Sequence, residues 1–140
     1  MTRDQIVDLF NRRLNATNEH DVESLAELYA PDAVVESPLG GTHQGRAAIE
    51  SVAGAFFSAL GDLKMTQDDL IIENDRVVQV VTVSGTDTGG FMGISPTGKP
   101  ALLPMVIVCR VKDGRITHER RIYDFTGMLV QIGVLKAKPA

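Results

Sequence analysis

Apolar residues recur at helical spacing through the first sixty or so positions and at strand spacing through most of the remainder. Ile6, Leu9, Phe10 and Leu14 lie on one helical face, so residues 3–18 are predicted as an amphipathic helix. Thr2-Arg3-Asp4-Gln5 ahead of them has the spacing of a capping box. Asp21 can cap a second, short helix whose buried stripe is Val22, Leu25, Leu28 and Tyr29, and Pro31 stops it. Ala33 to Ser37 reads as a short strand, followed by the turn-rich Pro38-Leu39-Gly40-Gly41. Ile49, Val52, Ala53, Phe56, Phe57 and Leu60 then form a wide apolar stripe on a long helix, with Gly61 placed to end it.

After Gly61 the period changes. Leu63 to Glu73, Arg76 to Thr88, Ala101 to Lys112 and Arg115 to Asp124 read as strands, with Asn74-Asp75 and Asp113-Gly114 as hairpin turns. A tail with Met128, Leu129 and Ile132 makes one or two helical turns before Gly133. Helices followed by a meander of antiparallel strands predict an α+β domain, a single one over residues 1–140, with a curved sheet wrapped around the N-terminal helices. Ala101 to Cys109 is apolar on both faces, and Val77-Val78-Gln79-Val80-Val81 nearly so. An antiparallel sheet wetted on one side alternates more cleanly. A homodimer that covers the outer sheet face is therefore expected.

Composition narrows the function classes. With 14 Lys+Arg against 18 Asp+Glu there is no basic stripe for nucleic acid. No apolar run is long enough to span a bilayer, and MTRDQIVDLF does not read as a signal peptide. The single cysteine, Cys109, excludes an intrachain disulfide and fits a reducing, cytoplasmic setting. His20, His43 and His118 have no metal-ligand spacing, so neither a metal nor a cofactor is expected. Gly93-Ile94-Ser95-Pro96-Thr97-Gly98-Lys99 has the spacing of a phosphate-binding loop, but Pro100 stands where Ser or Thr must meet magnesium, and a strand follows.

The chemistry concentrates in Arg115 to Asp124. Alternation puts Ile116, His118, Arg120, Ile122 and Asp124 on one face and Arg115, Thr117, Glu119, Arg121 and Tyr123 on the other. The first face mixes aliphatics with an imidazole, a guanidinium and a carboxylate, as a ligand cavity would, and is expected to line one.

Leu28-Tyr29-Ala30-Pro31-Asp32-Ala33, Gly85-Thr86-Asp87-Thr88-Gly89-Gly90-Phe91-Met92-Gly93, Pro96-Thr97-Gly98-Lys99 and Tyr123-Asp124-Phe125 with Gln131-Ile132-Gly133 resemble the SnoaL-like polyketide and ester cyclases of the nuclear transport factor 2-like superfamily. The resemblance covers nearly the whole chain. It implies a cone, a curved sheet closed by helices around a deep hydrophobic pocket, usually dimerised through the sheet. It also implies that Asp124 holds the position of the family's acid/base aspartate. Glu119-Arg120-Arg121 replaces a common His-Trp-Asp run, Asp87 replaces a histidine of the glycine-rich segment, and the strand after Lys99 is more apolar than usual.

Each candidate carries a second reading. Asp124 is either an acid/base carboxylate or the cap of a helix beginning at Phe125. Arg120 can hold a developing enolate, or pair with Glu36 or Asp87. His118 can share proton transfer or sit at the rim. Tyr29, His43, Phe56, Phe57 and Asp87 are the expected substrate-binding set; Tyr29 can instead be packing, His43 a loop residue and Asp87 a turn former. The function expected is a cofactor-independent cyclase or isomerase acting on a bulky apolar carbonyl compound, polyketide-like or steroid-like. Its rivals are an epoxide hydrolase of the limonene-epoxide-hydrolase type, built on Arg120, Asp124 and Asp87, and a non-catalytic binder of a small hydrophobic ligand.

Overall fold

The computed structural model describes residues 1–136. The elements run α1 (Arg3–Asn18), α2 (Val22–Glu27), β1 (Tyr29–Ser37), β2 (Gly41–Gln44), α3 (Arg46–Ala59), β3 (Lys64–Glu73), β4 (Arg76–Thr86), β5 (Pro100–Lys112), β6 (Arg115–Tyr123) and α4 (Phe125–Gln131). The capping box of α1 is complete: the Gln5 N–H donates to Thr2 Oγ1 at 3.1 Å and the Thr2 N–H to Gln5 Oε1 at 2.8 Å. The buried face of this helix is Ile6, Leu9, Phe10, Arg13, Ala16 and Thr17. Arg13 thus occupies the stripe expected to continue through Leu14, which is only half-buried. The long third helix also forms, but Gly61 does not end it in a left-handed conformation. Its N–H donates to Thr88 Oγ1 at 3.2 Å, and a Cβ would stand 2.9 Å from that oxygen. Close approach of the Thr88 side chain, not backbone handedness, is what favours the glycine.

One open, curved six-stranded sheet has the order β2-β1-β6-β5-β4-β3. Every pairing is antiparallel except β1 with β6. The first strand begins at Tyr29 rather than Ala33, because Tyr29 already pairs with Ile116. Pro31 lies where that register is irregular, a place in a strand where its missing N–H is tolerated. Asp113 and Gly114 both adopt positive φ (51° and 82°), as a two-residue hairpin requires.

The core lies between the helices and the inner sheet face, where Val77, Val81, Val83, Leu103, Met105 and Ile107 are buried. On the outer face Val106 and Val108 are half-buried, and Leu102 and Ile122 stand 57% and 49% exposed.

The last strand departs from its expected phase. Arg110 pairs with His118, but Val111 pairs with Ile116, so Thr117 is an extra residue on β6. Such a bulge turns every later side chain to the opposite face. Ile116 and Glu119 are consequently both buried. Beyond the bulge Glu119, Arg121 and Tyr123 point inward, while Arg120 and Ile122 are exposed. The cavity face expected from simple alternation, with His118 and Arg120, is therefore corrected to its opposite.

Candidate active site

Beneath the helices is a small cavity of about 50 Å³, room for a few waters. Phe56 and Phe57 from α3, Met65 from β3, Met105 from β5, Arg13 from α1 and Arg121 from β6 contribute to its wall. The wall is apolar apart from the two guanidinium groups and the hydroxyl of Thr17. Pockets that enclose drug-sized ligands run to roughly 300–1,000 Å³, so a bulky ligand enters only as the aromatic side chains move.

Four rings pack edge to face beside this space. Phe56 meets Phe91 at 6.1 Å and Tyr123 at 6.2 Å, while Phe125 meets Phe91 at 6.2 Å and Tyr123 at 6.4 Å, so the contacts close a cycle. Phe57 stacks on His20 with centroids 4.5 Å apart.

Against the cavity floor lies a buried ionic cluster. Glu119 is fully buried and its Oε1 accepts from Tyr29 Oη at 2.6 Å, Arg13 Nε at 3.2 Å and Arg13 Nη2 at 3.1 Å. Its Oε2 accepts from Arg121 Nε at 2.6 Å. Burial alone raises a carboxyl pKa, but the charges of Arg13 and Arg121 and the Tyr29 hydrogen bond overcome it, and Glu119 is held down to about 2. It stays ionised and saturated with donors, which suits a counter-ion better than a base. Arg13 Nη1 also donates to Gln79 Oε1 at 3.1 Å. Arg121 differs: among the described residues its two Nη groups donate to no protein acceptor. They are not among the fully buried unpartnered atoms, and Arg121 borders both this cavity and an outer depression with Glu36, Ser37 and Tyr123.

The residues singled out from sequence are dispersed. Phe56 and Phe57 line the cavity as expected. Tyr29 is buried, but its hydroxyl is committed to Glu119. His43, on β2, borders a separate apolar depression with Leu39, Val52 and Phe56, and its Nε2 is buried with no partner among the described residues. Asp87 is buried and ties down the loop after β4, accepting from the N–H groups of Gly90 and Thr97 and from Thr97 Oγ1. His118 pairs with Glu36 at 2.9 Å on the outer face, and Arg120 is exposed there without an ion pair among the described residues. Asp124 is exposed and caps α4, its Oδ1 accepting the Gly127 N–H at 2.8 Å; no protein donor reaches its Oδ2 among the described residues. Arg120, Asp124 and Asp87 do not converge, so the Asp-Arg-Asp arrangement behind the hydrolase reading is absent among the described residues.

Arg13, Glu119, Gln79 and Arg121 were not anticipated as a group. Arg13 had a signal, a charge on the apolar stripe of the first helix, which needs a buried partner. Glu119 and Arg121 had none without knowledge of the bulge.

A family model described as SnoaL-like polyketide cyclase matches residues 8–132. Among solved structures, the chain is similar to IdmH from Streptomyces antibioticus, with 32% identity over 91% of this chain and 97% of that one and a TM-score of 0.76. It is also similar to TsrD from Streptomyces laurentii, at 26% identity over 96% of this chain and 99% of that one, with a TM-score of 0.86. Among curated proteins none matches.

Proposed function

On the premise that the chain belongs to the SnoaL-like polyketide cyclase family, we propose that it is a cofactor-independent cyclase or isomerase of apolar carbonyl compounds. The observation that carries this reading is the Arg121 guanidinium, in the wall of an apolar cavity with its Nη donors unpartnered among the described residues. A substrate carbonyl oxygen at those donors gains most when it becomes an enolate, because the donors are already oriented and water is scarce.

Asp124 supplies the proton transfer in this reading. Its Oδ2 has no protein partner among the described residues, and its chain neighbours Tyr123 and Phe125 belong to the ring cycle at Phe56. Arg121 and Asp124 are three residues apart at the end of β6, roughly 10 Å along a strand; Asp124 is exposed and outside the cavity wall, so in this reading the ring cycle opens for one substrate to meet both. Asp124 removes a proton from the carbon beside the carbonyl, the enolate carbon attacks a second carbonyl, and the alkoxide formed takes the proton back. In an isomerisation the same proton returns to a different carbon.

A second reading, a non-catalytic binder of hydrophobic ligands, is supported by one observation: Asp124 is exposed and already serves as the cap of α4. The two readings separate in deuterium oxide. With 2-tetralone as a probe, the enzyme reading expects exchange of the α-protons, followed by NMR, to run faster with protein than in buffer alone. Equal rates support the binder.

A further inference from the structure

The ionic cluster at the cavity floor does not balance its own charge. Arg13 and Arg121 are both cations, and Glu119 is the carboxylate they share. Burial pushes the Tyr29 hydroxyl and the Cys109 thiol up, which keeps both neutral. Among the described residues, no other carboxylate forms an ion pair with either arginine. One positive charge is left over in an enclosure walled by Phe56, Met65, Val83 and Met105. A charge largely removed from water without a counter-ion is costly, and the described residues supply none.

The two arginines are not equivalent as recipients of an anion. Arg13 is spent on Tyr29, Glu119 and Gln79. Arg121, with a side chain 9% exposed, uses Nε on Glu119, and its Nη groups have no partner among the described residues beside the cavity it borders. A guanidinium with a free fork matches a planar carboxylate.

Resting on the reading of this cavity as the substrate site, we propose that the ligand of this protein is an anion: an apolar, ring-bearing body whose carboxylate lies beside the reacting carbonyl, so that one Nη of Arg121 takes the carboxylate and the other the carbonyl oxygen. The carboxylate neutralises the surplus charge, and the apolar body takes the space beside Phe56 and Phe57. The same arrangement discriminates against neutral esters and amides of equal shape, which leave the surplus charge unanswered.

The test compares 2-naphthoate with 2-naphthamide, two probes of one shape that differ in charge, by isothermal titration at neutral pH. Wild-type protein is expected to bind the carboxylate at least about tenfold more tightly, as a charge-assisted pair implies. Arg121→Gln should remove that preference, and Arg121→Lys should retain part of it, because it keeps the charge but loses the fork. Equal affinity of the two probes for wild type would overturn the proposal. So would no binding of either up to about 1 mM, or a preference that survives in folded Arg121→Gln. The wild-type comparison stands even if a variant fails to fold. The titration reads binding with no turnover, so failure of the catalytic reading and failure of this one are told apart.

Discussion

Arg13 on the first helix and Glu119 on the last strand, 106 residues apart in sequence, form a fully buried ion pair at 3.1 Å. The pair ties the helical layer to the sheet at the floor of the cavity, and the same carboxylate positions Arg121. Fold and candidate site thus share one carboxylate.

Replacing that carboxylate should be severe. Glu119→Gln leaves two buried guanidinium groups facing a neutral amide, and breaking a buried pair in this way typically costs about 3–5 kcal/mol. For a domain of this size the melting temperature should fall by on the order of 10 °C, readable by differential scanning calorimetry. Tyr29→Phe, which deletes the hydrogen bond to the same carboxylate and the longer one accepted from Arg13 Nε but leaves both ion pairs, should cost less, about 1.5–3 kcal/mol.

Acid should find the same weakness. The pKa of Glu119 is depressed in the folded chain to about 2 from an ordinary 4.5. Its contribution is therefore present above pH 4.5 and is lost as pH falls from there toward 2, a difference on the order of 3 kcal/mol. Urea denaturation at pH 7, 4 and 3 should show stability falling across this window, and Glu119→Gln should flatten that part of the profile.

The outer sheet face carries the assembly prediction. Leu102 and Ile122 stand exposed there beside half-buried Val106 and Val108, a contiguous apolar surface on registered neighbours, since Val106 pairs with Ile122. A homodimer through this face is expected at micromolar concentration. Val106→Asp should yield monomers or aggregates. Sedimentation showing wild type only as a 15.1 kDa species contradicts the expectation.

The loop after β4 depends on a contact at Gly89, where a Cβ would fall 1.9 Å from the Ser58 carbonyl oxygen. Gly89→Ala cannot be absorbed by a rotamer change, because the obstacle is backbone. It should lift the loop that places Phe91 against Phe56, with a loss of about 1–3 kcal/mol and faster proteolysis between Thr88 and Lys99.

Much of this architecture was legible from apolar spacing. The first and third helices and the four long strands announce themselves because their periods persist over nine or more residues, and the capping box and both hairpin turns through their residue types. β2 did not, since Gly41–Gln44 is too short and polar to show alternation. The site was legible only in its aromatic part. One bulged residue, Thr117, reverses the faces of β6, and no local propensity marks it, because β-bulges answer to the pairing of two strands. That single slip put Arg120 and His118 where Arg121 and Glu119 belong.

The most direct test of the account is Asp124→Asn, followed by α-proton exchange of 2-tetralone in deuterium oxide. Asn is as good a helix cap as Asp, so stability should change by less than about 1 kcal/mol if Asp124 does no more than cap α4 in the fold. The amide cannot accept and return a proton, so the protein-catalysed rate should fall on the order of 100-fold or more. A folded Asp124→Asn protein that exchanges the probe as fast as wild type would contradict the account and leave Asp124 as the cap of α4.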